Sequence, residues 1–441
     1  MAGDGDKQLM GIWMTSALVV GTIIGAGIFM LPVSLAPLGP NALIGWLVSG
    51  VGVMCIVFAL AELSRLGGDG IQANIEREFG PAVGFLVAWA FWFSNWVAAA
   101  SVAVGAASAL SFIGLVSPGT VVPLAIACVV VLTLVNAMGV RAAGGLSIIT
   151  VAIKVIPLLA VIWLFGERGV SGAASEPLAP VPIGFASIAT ATALTFFSLT
   201  GFESATAPVG KVRDPGRTIP KALLAGTILV VFLYLLAGTS IQMLLPADVI
   251  VNSSAPFADA LVSHWGRGVA SFAALAIAIS AFGCLNGLIL ATGELGYSMA
   301  LRGDLPAIIT RTRGANTPVV AQILVAVLVI LLLLANNSRS TANLYTFIVL
   351  LSTAGIIVLY FVGALAAWKV NPAIGARTIV IGALLFSAFA AYGTGLEACL
   401  WCIALLAVGL AIRAGMRRFN SRAETNLPAV VTPSVPPGSS A

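Results

Sequence analysis

Charge is scarce in this sequence. Only 8% of its 441 residues are Asp, Glu, Lys or Arg, 60% are hydrophobic, and the mean hydropathy is +1.09. Soluble domains carry about 25% charged residues, so a water-soluble enzyme or binding protein is excluded. Histidine occurs once, at His264, in the connection "SHWGRG", where it is expected to be solvated. A serine intramembrane protease would need a histidine inside the membrane, and none is there. An aspartyl type would need paired aspartates inside apolar runs; Asp69 of "GGDG" lies in a connection and has no such partner. All five cysteines (Cys55, Cys128, Cys284, Cys399 and Cys402) fall inside apolar runs. Cys399 and Cys402 form a CxxC without a histidine or second pair nearby, so buried thiols are expected, with no metal and no cofactor. The net charge of +5 does not point to nucleic acid, because the basic residues are dispersed among connections.

What is present in quantity is the apolar run of about 20 residues, long enough to cross about 30 Å of hydrocarbon as a helix. About twelve such runs follow one another, which predicts an all-α polytopic membrane protein whose main partner is the lipid bilayer. Residues 1–11 read as a short tail, 12–415 as the membrane domain, and the Pro- and Ser-rich 416–441 as a disordered tail. With the N-terminus inside, seventeen of the 21 basic residues lie on cytoplasmic segments. Arg168, Arg267 and Arg339 lie outside, and Lys154 lies within a run. The positive-inside rule therefore predicts a plasma-membrane protein with both termini cytoplasmic.

The first run contains "GTIIGAGIF", with Gly21, Gly25 and Gly27 where a helix should be regular. Each glycine costs a helix interior about 1 kcal/mol relative to alanine. The sixth run contains "FFSLTGFESATAP", with Gly201, Glu203 and Pro208. Runs five apart enter the membrane from opposite sides, and matched broken helices in opposed halves point to an inverted-repeat transporter. Non-helical backbone at that depth is tolerated where it lines a cavity. A small-residue packing face through Gly21 and Gly25 stays open as the alternative. The half-helix starting near Gly25–Gly27 offers N–H groups to a carboxylate. The half-helix ending near Phe197–Thr200 offers carbonyls to an ammonium. Together they describe an α-amino acid site.

These stretches resemble the signatures of the amino acid–polyamine–organocation superfamily of transporters. So do "AEL" at 61–63, "GGDG" leading to "FGP", "KVRDPGRTIPKA" after the sixth run and "RGDLP" after the eighth. The order and spacing are most similar to the bacterial basic amino acid/polyamine antiporter branch that includes the arginine–agmatine exchanger. The resemblance implies a LeuT-type five-plus-five inverted repeat with broken helices 1 and 6. Its repeats would be residues 12–166 and 183–370, with two extra helices at 378–413. A homodimer is left open. The substrate would lie among Ile23, Gly25, Ala26, Gly27, Asn95, Ala99, Phe197, Ser198, Thr200, Leu288 and Ser352. The arginine exchanger has tryptophans where this chain has Phe197 and Leu288, an asparagine at Ala99 and a serine at Ala26. Those losses lean the expectation to neutral or small amino acids, although Asn95, one turn from Ala99, offers a substitute. Arginine–agmatine or polyamine exchange is the alternative, and a channel or sensor a remote one.

Two ionisable residues fall deep in runs. Lys154 lies about 13 Å from the start of its run at 1.5 Å per residue, and an intramembrane charge is by default a functional one. The resemblance implies that this lysine stands where sodium-coupled cousins hold Na⁺, bonding carbonyls of the broken first helix. It also implies that Glu203 takes part in coupling and gating. The expected activity is therefore Na⁺-independent amino acid transport by alternating access, as an exchanger or a proton-coupled carrier, with no catalysis.

Overall fold

In a computed structural model of the chain, the described residues are 11–25, 27–65, 71–114, 117–138, 146–172, 175–203, 212–313, 317–370 and 373–425. The first run is two helices, α1 (Ile12–Ile23) and α2 (Gly27–Leu35), bent by 45°. After them come α3 (Pro40–Ser64), α4 (Ile71–Phe79), α5 (Pro81–Phe112), α6 (Val121–Ala137) and α7 (Leu146–Val170). The second half holds α8 (Phe185–Ser198), α9 (Pro215–Leu244), α10 (Ala247–Asn252), α11 (Pro256–Leu301), α12 (Val319–Ala335) and α13 (Thr341–Val370). Two further helices close the chain, α14 (Ile374–Gly393) and α15 (Gly395–Thr425). Among the described residues, seven helices are long and apolar enough to cross a membrane, and α1 with α2 makes an eighth crossing. The shorter apolar helices α6, α8 and α12, with the 25-residue α7, fill the remaining expected runs.

Local chemistry sets several boundaries. Pro40, Pro81 and Pro215 each open a helix at the position where a missing N–H costs nothing. Packing between helices uses small residues: a Cβ on Gly45 of α3 would lie 2.6 Å from Ala191 Cβ of α8. One turn on, Ser49 Oγ donates to the Thr192 carbonyl at 2.9 Å, so the backbones meet closely and are tied there. The outer surface stays apolar, with Val131, Trp163, Phe232 and Leu331 exposed, which fits hydrocarbon as the surrounding solvent.

Two expectations are corrected. The connection holding His264 is helical, because α11 begins at Pro256, ahead of the eighth run; its two parts meet at Gly266, with φ of 79°. The expected tail from 416 is helical as far as Thr425, since its Arg, Met and Glu side chains are good helix formers. Residues 426–441, the first ten residues and "GGDG" at 67–70 lie outside the described residues.

Candidate substrate site

At the break of the first run, Ile24 (φ −70°, ψ 82°) forms an inverse γ-turn, with Gly25 N–H donating to the Ile23 carbonyl at 2.7 Å. Two buried tyrosines hold the edges of this break. Tyr234 of α9 donates to the Ile23 carbonyl at 3.3 Å, and Tyr345 of α13 donates to the Gly27 carbonyl at 2.6 Å. The first-turn N–H groups of α2 carry the positive end of its dipole. Gly25 N–H is taken by the turn, and the next donor among the described residues is that of Gly27. Ala26 lies outside the described residues.

The sixth run stops its regular helix at Ser198. The Phe197 carbonyl accepts Thr200 N–H at 3.2 Å and Thr200 Oγ1 at 2.7 Å, and the Thr195 carbonyl accepts Ser198 Oγ at 2.8 Å. The expected free acceptors near Phe197–Thr200 therefore shift. Among the described residues, no backbone donor reaches the carbonyls of Ser198 and Leu199. Gly201 then turns with φ of 110°, and its N–H donates to Glu203 Oε2 at 3.1 Å. Tyr360 of α13 donates to the same oxygen at 2.6 Å and stacks on Phe202. The two breaks touch: a Cβ on Gly201 would lie 2.7 Å from the Thr22 carbonyl.

Around these breaks lies a cavity of about 600 Å³. Of the sequence-expected residues, it is lined by Ile23, Gly25, Gly27, Asn95, Phe197, Ser198, Thr200, Leu288, Ser352, Lys154 and Glu203. Ala99 is not on the wall; it is fully buried in α5, and Asn95 faces the cavity instead. Asn95 Nδ2 donates to the Phe91 carbonyl at 3.0 Å, which leaves its amide oxygen for a ligand. Ser352 is on the wall, but its hydroxyl donates to the Ser94 carbonyl at 2.9 Å while Ser94 Oγ donates back to the Ser352 carbonyl at 2.8 Å. Lys154 is 7% exposed and, among the described residues, makes no hydrogen bond or ion pair. No bond from it to a carbonyl of the first helix is present among the described residues, and the cavity reaches its side chain.

Sequence reasoning missed Gly283, Cys284, Gly287 and Ala291 of α11 and Gln72 of α4, which also line the cavity. The four-residue spacing of Gly283, Gly287 and Ala291 was the available signal, since it sets one helix face at small size. Tyr234, Tyr345 and Tyr360 were missed too; polar-tipped aromatics buried in aliphatic runs need a partner.

Phe197 covers Gly27, where a Cβ would lie 3.0 Å from its ring. Valine at Gly27 adds two further carbons in that direction and fills the anion-facing end of α2. Gly27→Val is expected to lose substrate exchange in proteoliposomes while inserting into membranes at the normal level. Uptake near that of the unaltered protein would return the glycine to a packing role.

Residues 10–422 match the family described as "Amino acid permease". The chain is 29% identical over 355 residues to the cadaverine/lysine antiporter of Escherichia coli K12, covering 76% of this chain and 77% of that one. It is 26% identical over 409 residues to the putrescine transporter PotE of Haemophilus influenzae, covering 89% and 93%. Among solved structures, MhsT in complex with L-phenylalanine superposes with a TM-score of 0.62 at 13% identity, over 91% of this chain and 100% of that one. That likeness fixes the architecture as the LeuT-type five-plus-five inverted repeat with its first and sixth helices broken. The chain therefore belongs to the amino acid permease family of the amino acid–polyamine–organocation superfamily, is similar to its basic amino acid/polyamine antiporters, and is a multi-pass membrane transporter of amino acids or polyamines rather than an enzyme.

Proposed function

We propose that this carrier exchanges a basic amino acid for a diamine across the bacterial inner membrane, without sodium, with both termini cytoplasmic. The observation that carries this reading is the Glu203 carboxylate on the wall of the cavity that the two broken helices open into. A molecule with one carboxylate and two cationic groups finds a partner for each. The α2 N-terminus takes the carboxylate, the Ser198 and Leu199 carbonyls take one ammonium, and Glu203 with the Asn95 amide oxygen takes the other. A diamine keeps the two cationic contacts and gives up the first. The relatives named for lysine with cadaverine and for putrescine support the same substrate class.

This reading replaces the leaning to neutral or small amino acids. That leaning counted four replaced side chains, and the one at Ala99 does not bear on the cavity, whose wall has Asn95. Glu203, held by Tyr360 and the Gly201 N–H, is the coupling and gating residue in this proposal, together with Lys154.

The test is counterflow in proteoliposomes preloaded with lysine. Cadaverine and putrescine outside are expected to exchange saturably and faster than leucine or alanine, with the same rate when choline replaces sodium. Faster exchange against leucine or alanine would overturn the substrate class, and a sodium requirement would overturn the ion independence.

A further inference from the structure

A second cavity, separate from the substrate site, is a groove along the outer side of α3 and α9, where Leu47, Val51, Ile228 and Phe232 are exposed. It encloses about 600 Å³ and its described wall is apolar apart from the tip of Trp46. The two helices meet at its floor, where a Cβ on Gly50 would lie 2.8 Å from Val231 Cγ1. Trp46, edge-on to Tyr234, closes one end. α14 reaches the other, with Gly382 against Cys55 and Ile379 on the wall. From Trp46 to Phe58, α3 rises about 18 Å at 1.5 Å per residue, close to one leaflet's share, about 15 Å, of the hydrocarbon core. The groove face of α9 runs on beyond it. Leu235, Val231, Ile228 and Leu224 recur at three- and four-residue spacing, and the same spacing continues to Lys221 and Arg217. Both cations are exposed, and among the described residues no carboxylate pairs with either. The acid that follows Phe58 on α3, Glu62, is taken by Arg65 at 2.6 Å. Lys221 and Arg217 belong to "KVRDPGRTIPKA", a stretch to which the substrate cavity gives no role.

We propose that this groove binds an anionic phospholipid of the leaflet at that end, with an acyl chain between α3 and α9 and the phosphate held by Lys221 and Arg217. The acyl chain gives little selectivity, because lipid surrounds the protein anyway and an apolar exchange leaves packing alone as its gain. Selection comes from the open end, where two unpaired cations stand in the first two turns of α9, near the positive end of its dipole. A zwitterionic headgroup brings its own ammonium to the same place and cancels much of that attraction. The opposite side of α9 carries the first broken span: a Cβ on Gly226 would lie 2.8 Å from Val19 Cγ1 of α1, and Tyr234, which Trp46 abuts, donates to the Ile23 carbonyl. A lipid in the groove therefore braces the helix against which α1 rests.

The experiment titrates the full chain in detergent with phosphatidylglycerol or phosphatidylcholine of identical chains and counts bound lipid by native mass spectrometry. The variants are Arg217→Gln combined with Lys221→Gln, Val51→Trp to fill the groove, and Arg311→Gln as a cation on another element. The unaltered protein is expected to hold phosphatidylglycerol about twentyfold more tightly than phosphatidylcholine, from two cations near the surface. The paired glutamine variant should lose that preference and keep its phosphatidylcholine affinity, Val51→Trp should weaken both lipids, and Arg311→Gln should change neither. Phosphatidylglycerol should also raise the thermal midpoint of the unaltered protein by about 2 °C or more, and leave that of the paired variant where it was. Equal midpoints without lipid show that the variants are folded. Equal affinity of the unaltered protein for the two lipids would overturn the proposal whatever the variants do. A loss as large in Arg311→Gln would reduce the effect to general surface charge and overturn it too. Phosphatidylglycerol binding that survives Val51→Trp would take the acyl chain out of the groove, and a dimer that Val51→Trp dissociates would give the groove to a second copy of the chain; either result overturns it.

Discussion

Gly201→Ala is expected to lower the exchange rate by about a hundredfold or more, which corresponds to roughly 2.7 kcal/mol. Two separate costs meet at this residue. Its φ of 110° is one that side chains with a Cβ rarely adopt, and such strain costs about 1–3 kcal/mol. The added methyl would also stand 2.7 Å from the Thr22 carbonyl, and a backbone atom there cannot rotate away. Relief requires the end of α8 to move off the end of α1, which separates the breaks that form the site and pulls the Gly201 N–H from Glu203. The measurement is the initial rate of lysine exchange at matched protein per vesicle. A rate within a factor of about two of the unaltered protein would show that the breaks need not touch.

The largest expected loss of stability comes from Arg413→Ala. This guanidinium is 6% exposed; its Nε bonds Asp304 Oδ1 at 2.8 Å and its Nη2 donates to the Pro81 carbonyl at 2.6 Å. It also lies 4.9 Å from the centre of the Phe85 ring. One side chain thus joins the last helix to the start of α5 and to the connection after α11. Removing one member of a buried pair strands the other and costs about 3–5 kcal/mol. The thermal midpoint in detergent is expected to fall by about 5 °C or more. Arg65→Ala serves as the contrast: its partner is Glu62 at 2.6 Å, but Arg65 is 56% exposed, and such pairs contribute about 0–1 kcal/mol. Equal midpoints for the two variants would refute the role given to Arg413.

Much of this architecture was legible before any coordinates. Run length identified the spans, and glycines at 25, 27 and 201 marked both breaks, because backbone that leaves the helix needs residues that tolerate it. The wall of the site was harder to read. α5 is buried along most of its circumference, so no polar face shows which of Asn95 and Ala99 points inward, and a turn of the helix separated the two readings. The clasps of Tyr234, Tyr345 and Tyr360 depend on partners more than 150 positions away in the chain, a separation that local pattern does not carry. Lys154 was legible as an intramembrane charge, whereas its lack of a partner among the described residues depends on where the cavity runs. The extent of α15 was missed because the proline-rich end coloured the reading of the charged residues ahead of it.

The paired bonds between Ser94 and Ser352 have a mechanical consequence. Each hydroxyl donates into the other residue's backbone, so one cannot slide along the other without breaking both. Beside them Gly355 lets Phe93 come so near that a Cβ would overlap its ring at 2.5 Å. At this level α5 and α13 act as a riveted plate. When the transporter changes which side its cargo can reach, this part of the wall is carried whole, and the change in width falls on the jointed helices opposite.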